Sequence, residues 1–252
     1  MNMEYDYKVV DSGSMSREAK INLEFCETCL QIGECLYNRA NSAFPQNVEL
    51  PVFEHSYIHF LYRALQTLRA IGVLYHFRYF EQALILCRVQ YEILVHMKYI
   101  KNEPDKRADL FKKYSEFSRA KLFTMNGNDH SSKDKYNYTE LVKLFPDKNK
   151  WAGKNITLKK MAEEVNLIRD YELMYSILCE ITHAPITLAQ IIATNNEKDI
   201  YRPSLLGCRF FLTILIEFND LFHLNENEYL DELYNTSKVL FLNQQEFNEH
   251  NK

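Results

Sequence analysis

Chain breakers are scarce. The sequence holds six glycines and six prolines in 252 residues, with a single tryptophan. So few interruptions favour long helices over a turn-rich sheet fold. No apolar run reaches 18 residues before an Arg or Glu breaks it, so no membrane span is expected. The opening stretch MNMEYDYKVVDSGSMSREAK lacks a basic n-region and an apolar h-region, so no signal peptide is expected either. There is no P-loop, no Gly-rich dinucleotide turn and no Gly-x-Ser-x-Gly elbow, which disfavours nucleotide and serine hydrolases. Six cysteines in this length are too sparse for a disulfide framework; reduced thiols in a cytoplasm are the expectation. No cofactor is called for.

What is present is helical periodicity. Hydrophobic residues make up 46% and charged residues 25%, as in a globular protein. Phe25, Cys29, Ile32 and Leu36 share a face after Ser14 or Ser16 as N-cap. Tyr57, Phe60, Ala64, Leu68 and Ile71 predict a second helix over 54–76, and a third spans 79–101 before Pro104. Phe111, Tyr114 and Met125 outline a fourth. Helices resume at 157–166 and 169–183; Pro203 then opens a long apolar helix to His223. Asn225 with Glu228 resembles the cap of a last one. The fold expected is all-α, one domain over 1–252, a bundle of eight or nine helices with 126–155 as a mobile basic insertion.

The net charge of −4 is uneven. Residues 98–160 hold 16 Lys and Arg against 8 Asp and Glu. A basic middle in an acidic chain is a footprint that attracts phosphate-bearing partners such as RNA. It is equally what a solvated lysine-rich surface looks like.

The third helix raises the sharpest question. Between Ala83 and Val95 only Arg88, Gln90 and Glu92 are strongly polar, and a helix apolar on nearly every side belongs inside a bundle. Arg88, Glu92 and His96 fall within an arc of roughly 80°. Arg88 and Glu92 can pair as i and i+4 neighbours. In a fully buried pair, losing one partner costs on the order of 3–5 kcal/mol. Partners are expected from YSILCEITHAP, where Ser176, Glu180 and His183 form one stripe, and from Tyr114 and Glu116. Such a cluster is either a polar pocket or a buried network that sets helix register.

The segments ALILCRVQYEILVHMKYI, FKKYSEFSRAKLF and MYSILCEITHAPI resemble a bacterial all-helical family carried as a domain of unknown function. The resemblance spans about 50–220 and rests on Arg88 and Glu92, Tyr114 and His183. It implies a helical fold and no particular reaction. A more distant similarity is to the HEPN superfamily, helical dimers that include metal-independent ribonucleases of toxin and phage-defence systems. Their Arg and His, with four to six residues between them, match Arg69 and His76 in RAIGVLYH, which have six between them, Gly72 included. The resemblance implies RNA as substrate, a homodimer, Arg69 on a phosphate and His76 moving a proton.

Other chemistries fit less well. A di-iron bundle needs paired Glu-x-x-His motifs. Glu180–His183 supplies one and Asp220–His223 an approximate second, with Glu92 and Glu116 as further carboxylates, but Arg88 would repel a cation. Cys26 and Cys29 have zinc-like spacing without a second pair, and Cys29 lies in an apolar stripe, as a small core residue does. Tyr136 and Tyr138 stand among lysines in a way that suits single-stranded nucleic acid, or an ordinary loop. Two function classes therefore remain: a metal-independent endoribonuclease using Arg88, Glu92, His183, Arg69, His76 and Tyr114, and a non-catalytic helical module whose internal cluster holds the fold or binds a small anion.

Overall fold

Ser16 opens the first helix by accepting a hydrogen bond from the Ala19 amide at 3.2 Å, one of the orphan donors that helix starts leave. In the computed structural model, residues 15–44, 50–125, 138–146, 150–153, 155–182 and 203–249 are described. They form nine helices and no strand, an all-α bundle. The first four are α1 (Arg17–Ala43), α2 (Val52–His76), α3 (Phe80–Asn102) and α4 (Pro104–Met125). Two short helices follow, α5 (Tyr138–Leu144) and α6 (Leu158–Glu164). The seventh, α7, starts at Ile168–Asp170, widens into a π-helical turn at Tyr171–Tyr175 and continues as Ser176–Thr182. Finally come α8 (Pro203–Phe222) and α9 (Asn227–Glu249).

Pro104 and Pro203 each take the first position of a helix, where the missing N–H costs nothing. The fourth helix thus begins at Pro104, a full two turns before Phe111. The cap at α9 differs from the sequence expectation. Asn225 sits at φ 62°, outside the N-cap conformation, and Asn219 Oδ1 of α8 accepts from the Glu226 amide at 3.0 Å instead. Gly72 does not interrupt α2.

Helices α2, α3 and α8 pack against one another; α1 lies across α2 and α8, and α9 along α8. Close approach is made possible by small residues. A Cβ added at Gly33 of α1 would stand 2.5 Å from Phe211 Cζ, and one at Gly207 of α8 2.9 Å from Ile71 Cδ1. Cys26, Cys29, Cys87 and Cys208 are fully enclosed in this core as free thiols, and burial pushes Cys208 well up. Helices α4, α6 and α7 cover α3.

Within 126–155, residues 138–146, 150–153 and 155 are described. Three of these residues pack inward: Leu141 and Phe145 of the α5 region bury against Phe117, and Trp151 is 6% exposed among His96, Tyr99 and Phe111. Among the described residues, no helix is long and apolar enough to cross a membrane.

Candidate functional site

Arg88 and Glu92 do pair, Nε to Oε1 at 3.0 Å, but at the edge of the bundle: their side chains are 26% and 32% exposed. The burial expected from the sequence is corrected here. Helix α3 is central along most of its length, yet this face meets the seam with α7. The group that converges on the pair is Tyr175, which sequence reasoning missed. Its hydroxyl donates to Glu92 Oε1 at 2.9 Å, and its ring lies under the Arg88 guanidinium at 5.2 Å. Burial first, then the Glu92 carboxylate, raises the Tyr175 hydroxyl far above an ordinary phenol, so it acts as a donor and not as a base. Tyr175 stacks on Tyr171 at 4.9 Å, a pairing made by the π-helical turn.

The other expected site residues have different neighbours. Ser176 is exposed and donates to the Tyr171 carbonyl at 3.2 Å. His183 lies outside the described residues, as do the Glu180 side chain, Tyr136 and the side chain of Tyr138. Tyr114 packs against Phe145 and Phe117 in the small apolar cluster beneath α5. Arg69 pairs with Glu34 of α1, and His76 ends α2 with its ring edge-on to Phe77. His96, one turn beyond Glu92 on α3, meets a different set of neighbours. It lies partly buried between Trp151 and Phe111, where burial and the nearby Arg63 push its imidazole down to about 4. Of the carboxylates weighed for iron, Glu92 is engaged by Arg88 and Tyr175 while Glu116 faces α2; no group of three or more His, Cys, Asp or Glu among the described residues has the geometry for a metal ion.

A chemically equipped cavity lies elsewhere, between the start of α2 and the middle of α4. It is an open cleft of about 340 Å³. Helix α2 presents Val52, His55, Ser56 and His59, a stripe at i, i+3, i+4 and i+7. Helix α4 answers with Lys112, Ser115, Glu116 and Arg119, a stripe of the same spacing. Phe111 and Leu50 add an apolar wall. Phe60 of α2 against Phe111 of α4, with ring centroids 5.0 Å apart, holds the two helices together behind it.

Two features characterise this cleft. Lys112 and Arg119, like Arg63 and Arg169, have no counter-ion among the described residues, while Arg39, Arg69, Arg88 and Arg107 each bind a carboxylate. Moreover, His59 is held below the ordinary imidazole value by burial and then by Arg63, His55 and Arg119, a cationic neighbourhood that opposes a further proton. The cleft is thus a positive, open basin with a neutral imidazole in it. Neither histidine was picked out from the sequence. The signal was available as His55-x3-His59, but its meaning depends on the stripe of α4 that folding sets opposite.

No curated protein and no solved structure matches the chain. A family of unknown function, DUF5677, matches residues 55–199, from His55 through α3, α4 and α7. The match takes in more than half of the 252 residues, and the chain belongs to that family.

Proposed function

We propose that this protein is a metal-independent endoribonuclease whose working site is the α2–α4 cleft. The observation that carries the reading is the placement of two histidines on successive turns of α2 opposite Lys112 and Arg119, which have no counter-ion among the described residues. Both cations belong to the basic 98–160 stretch, so the charge asymmetry of the chain and the cleft point to the same class of partner, an RNA phosphodiester.

With histidines as the proton-transfer groups, the natural nucleophile is the 2′-hydroxyl beside the scissile phosphate. His59, neutral near pH 7, takes the 2′-hydroxyl proton as O2′ bonds to phosphorus. The P–O5′ bond breaks, and His55, about one turn away, gives its proton to the leaving 5′-oxygen. The products are a 2′,3′-cyclic phosphate and a 5′-hydroxyl, with no water or metal consumed. Arg119 and Lys112 neutralise the charge that grows on the phosphoryl oxygens. In this reading Arg88, Glu92 and Tyr175 act as a structural clasp between α3 and α7, and Arg69 as a tie between α2 and α1.

The test is incubation of the purified protein with single-stranded RNA in excess EDTA, beside folded His59→Ala and His76→Ala variants. Cleavage with cyclic-phosphate ends, lost roughly 100-fold or more in His59→Ala and kept in His76→Ala, is the expected result. Loss in His76→Ala alone would move the chemistry to the Arg69 face of α2. Absence of cleavage by the folded wild type overturns the catalytic reading, and RNA binding abolished by Arg119→Ala would then identify an anion-binding module.

A further inference from the structure

The Glu116 carboxylate is out of place in a site for phosphate. It stands in the cleft one turn before Arg119 and one turn after Lys112 on the same helix, yet it pairs with neither, and Lys113 turns to Asp109 instead at 2.7 Å. Among the described residues it has no hydrogen-bond or ion-pair partner. A carboxylate left open beside phosphate-binding cations weakens anion affinity unless it serves another part of the ligand.

We infer that the cleft reads the base next to the phosphate, and that Glu116 selects guanine. Donor count makes the distinction. Guanine alone among the four bases presents two adjacent donors, N1–H and N2–H, on its Watson–Crick edge, and these match the two oxygens of a carboxylate. Adenine and cytosine each offer one amino donor beside an acceptor, which repels the second oxygen. Uracil offers one N–H between two carbonyls. Leu50, Val52 and Phe111 supply the apolar surface against which a base lies. The cleft volume of about 340 Å³ is at the small end of ligand pockets and suits one nucleotide, not a duplex. Cleavage therefore falls on the 3′ side of guanosines in single strands.

This inference rests on the reading of the cleft as a phosphodiester site, and one titration separates the two. The whole chain is titrated with the 3′-monophosphates of guanosine, adenosine, cytidine and uridine by calorimetry, and the series is repeated with Glu116→Gln. Tighter binding of the guanosine nucleotide, about tenfold or more, is expected in the wild type and lost in the variant, with affinity for the other three retained. Equal binding of all four overturns the guanine assignment and leaves the phosphodiester site standing. A guanosine preference that survives Glu116→Gln overturns the role of Glu116. Binding of none of the four removes the site itself, and the proposed function with it.

Discussion

Trp151 closes edge-on over His96, with ring centroids 5.6 Å apart and planes at 85°. The only tryptophan of the chain thus reports on a histidine held far from its ordinary state. The imidazole sits at about 4 in the fold, against about 6.5 in an unfolded chain. Between those values the unfolded chain binds a proton that the folded one does not. Stability is therefore complete above about pH 6.5 and lost as the pH falls toward 4, by roughly 3 kcal/mol at most. His96→Gln removes the titration. Denaturant melts followed by Trp151 fluorescence at pH 7 and pH 4.5 should show a larger acid loss in the wild type than in the variant. Parallel losses would show that His96 is not the group responsible.

Removal of the Arg88 side chain should be mild for a charged residue in the middle of a core helix. Because the pair is 26% and 32% exposed, Glu92 left behind can be hydrated, and the cost falls from the 3–5 kcal/mol of a fully buried pair to about 1–2 kcal/mol. Tyr175→Phe, which deletes one hydrogen bond to a carboxylate, should cost a similar amount. A double-mutant cycle on Arg88→Ala and Tyr175→Phe should give a non-additive coupling, since both groups engage Glu92 Oε1. Additive losses would mean that the clasp does not act as a unit.

The helices were legible because their signals are local: Ser16 as a cap, Pro104 and Pro203 as starts, and apolar spacing between them. The sites were not, for two physical reasons. Ser176, Glu180 and His183 follow the π-helical turn at Tyr171–Tyr175, and a regular 100° step gives no sign of that turn or of the residue it ends on. It is Tyr175 that bonds Glu92, while Ser176 bonds the Tyr171 carbonyl. The second reason is distance in sequence. Nothing within a window around His55 and His59 announces Lys112, Glu116 and Arg119, some 55 residues on, and only the crossing of α4 over α2 makes them one cleft.

Two glycines in helices should respond to alanine with opposite sign. Alanine is favoured over glycine in a helix by about 1 kcal/mol, so the default effect is stabilising. At Gly72 the new Cβ meets only Cys26 Sγ at 3.5 Å, an ordinary contact, and Gly72→Ala should raise stability. At Gly33 it would stand 2.5 Å from Phe211 Cζ and 3.0 Å from Leu65 Cδ2, both enclosed in the core. Phe211 has nowhere to yield, so overpacking wins and Gly33→Ala should destabilise by roughly 1–3 kcal/mol. Thermal melts of the two variants decide it; a stabilised Gly33→Ala would show that α1 can move away from α8.

Glu217 of α8 is the most enclosed carboxylate in an ion pair, its side chain 11% exposed beneath Lys98 and Lys101 of α3. Burial works against its charge, but hydrogen bonds from Lys101, at 2.7 Å, and from Lys98 outweigh it and hold the group below the usual carboxylate range. A depressed value means stability that is present above the unfolded carboxylate value, about 4.3, and lost as the pH falls through the folded one. Glu217→Gln keeps the shape and removes the charge, and it should cost about 1–3 kcal/mol at pH 7. The lysines are 26% and 41% exposed and can turn to water, which keeps the cost below that of a fully stranded ion. The difference between wild type and variant should shrink as the pH falls from the unfolded carboxylate value through the lower folded one, below which the wild-type group is protonated in both states. It should change little between low and moderate salt, since a pair this enclosed is poorly screened. A difference that vanishes in moderate salt would place the interaction at the surface and leave α3 and α8 held by apolar packing alone.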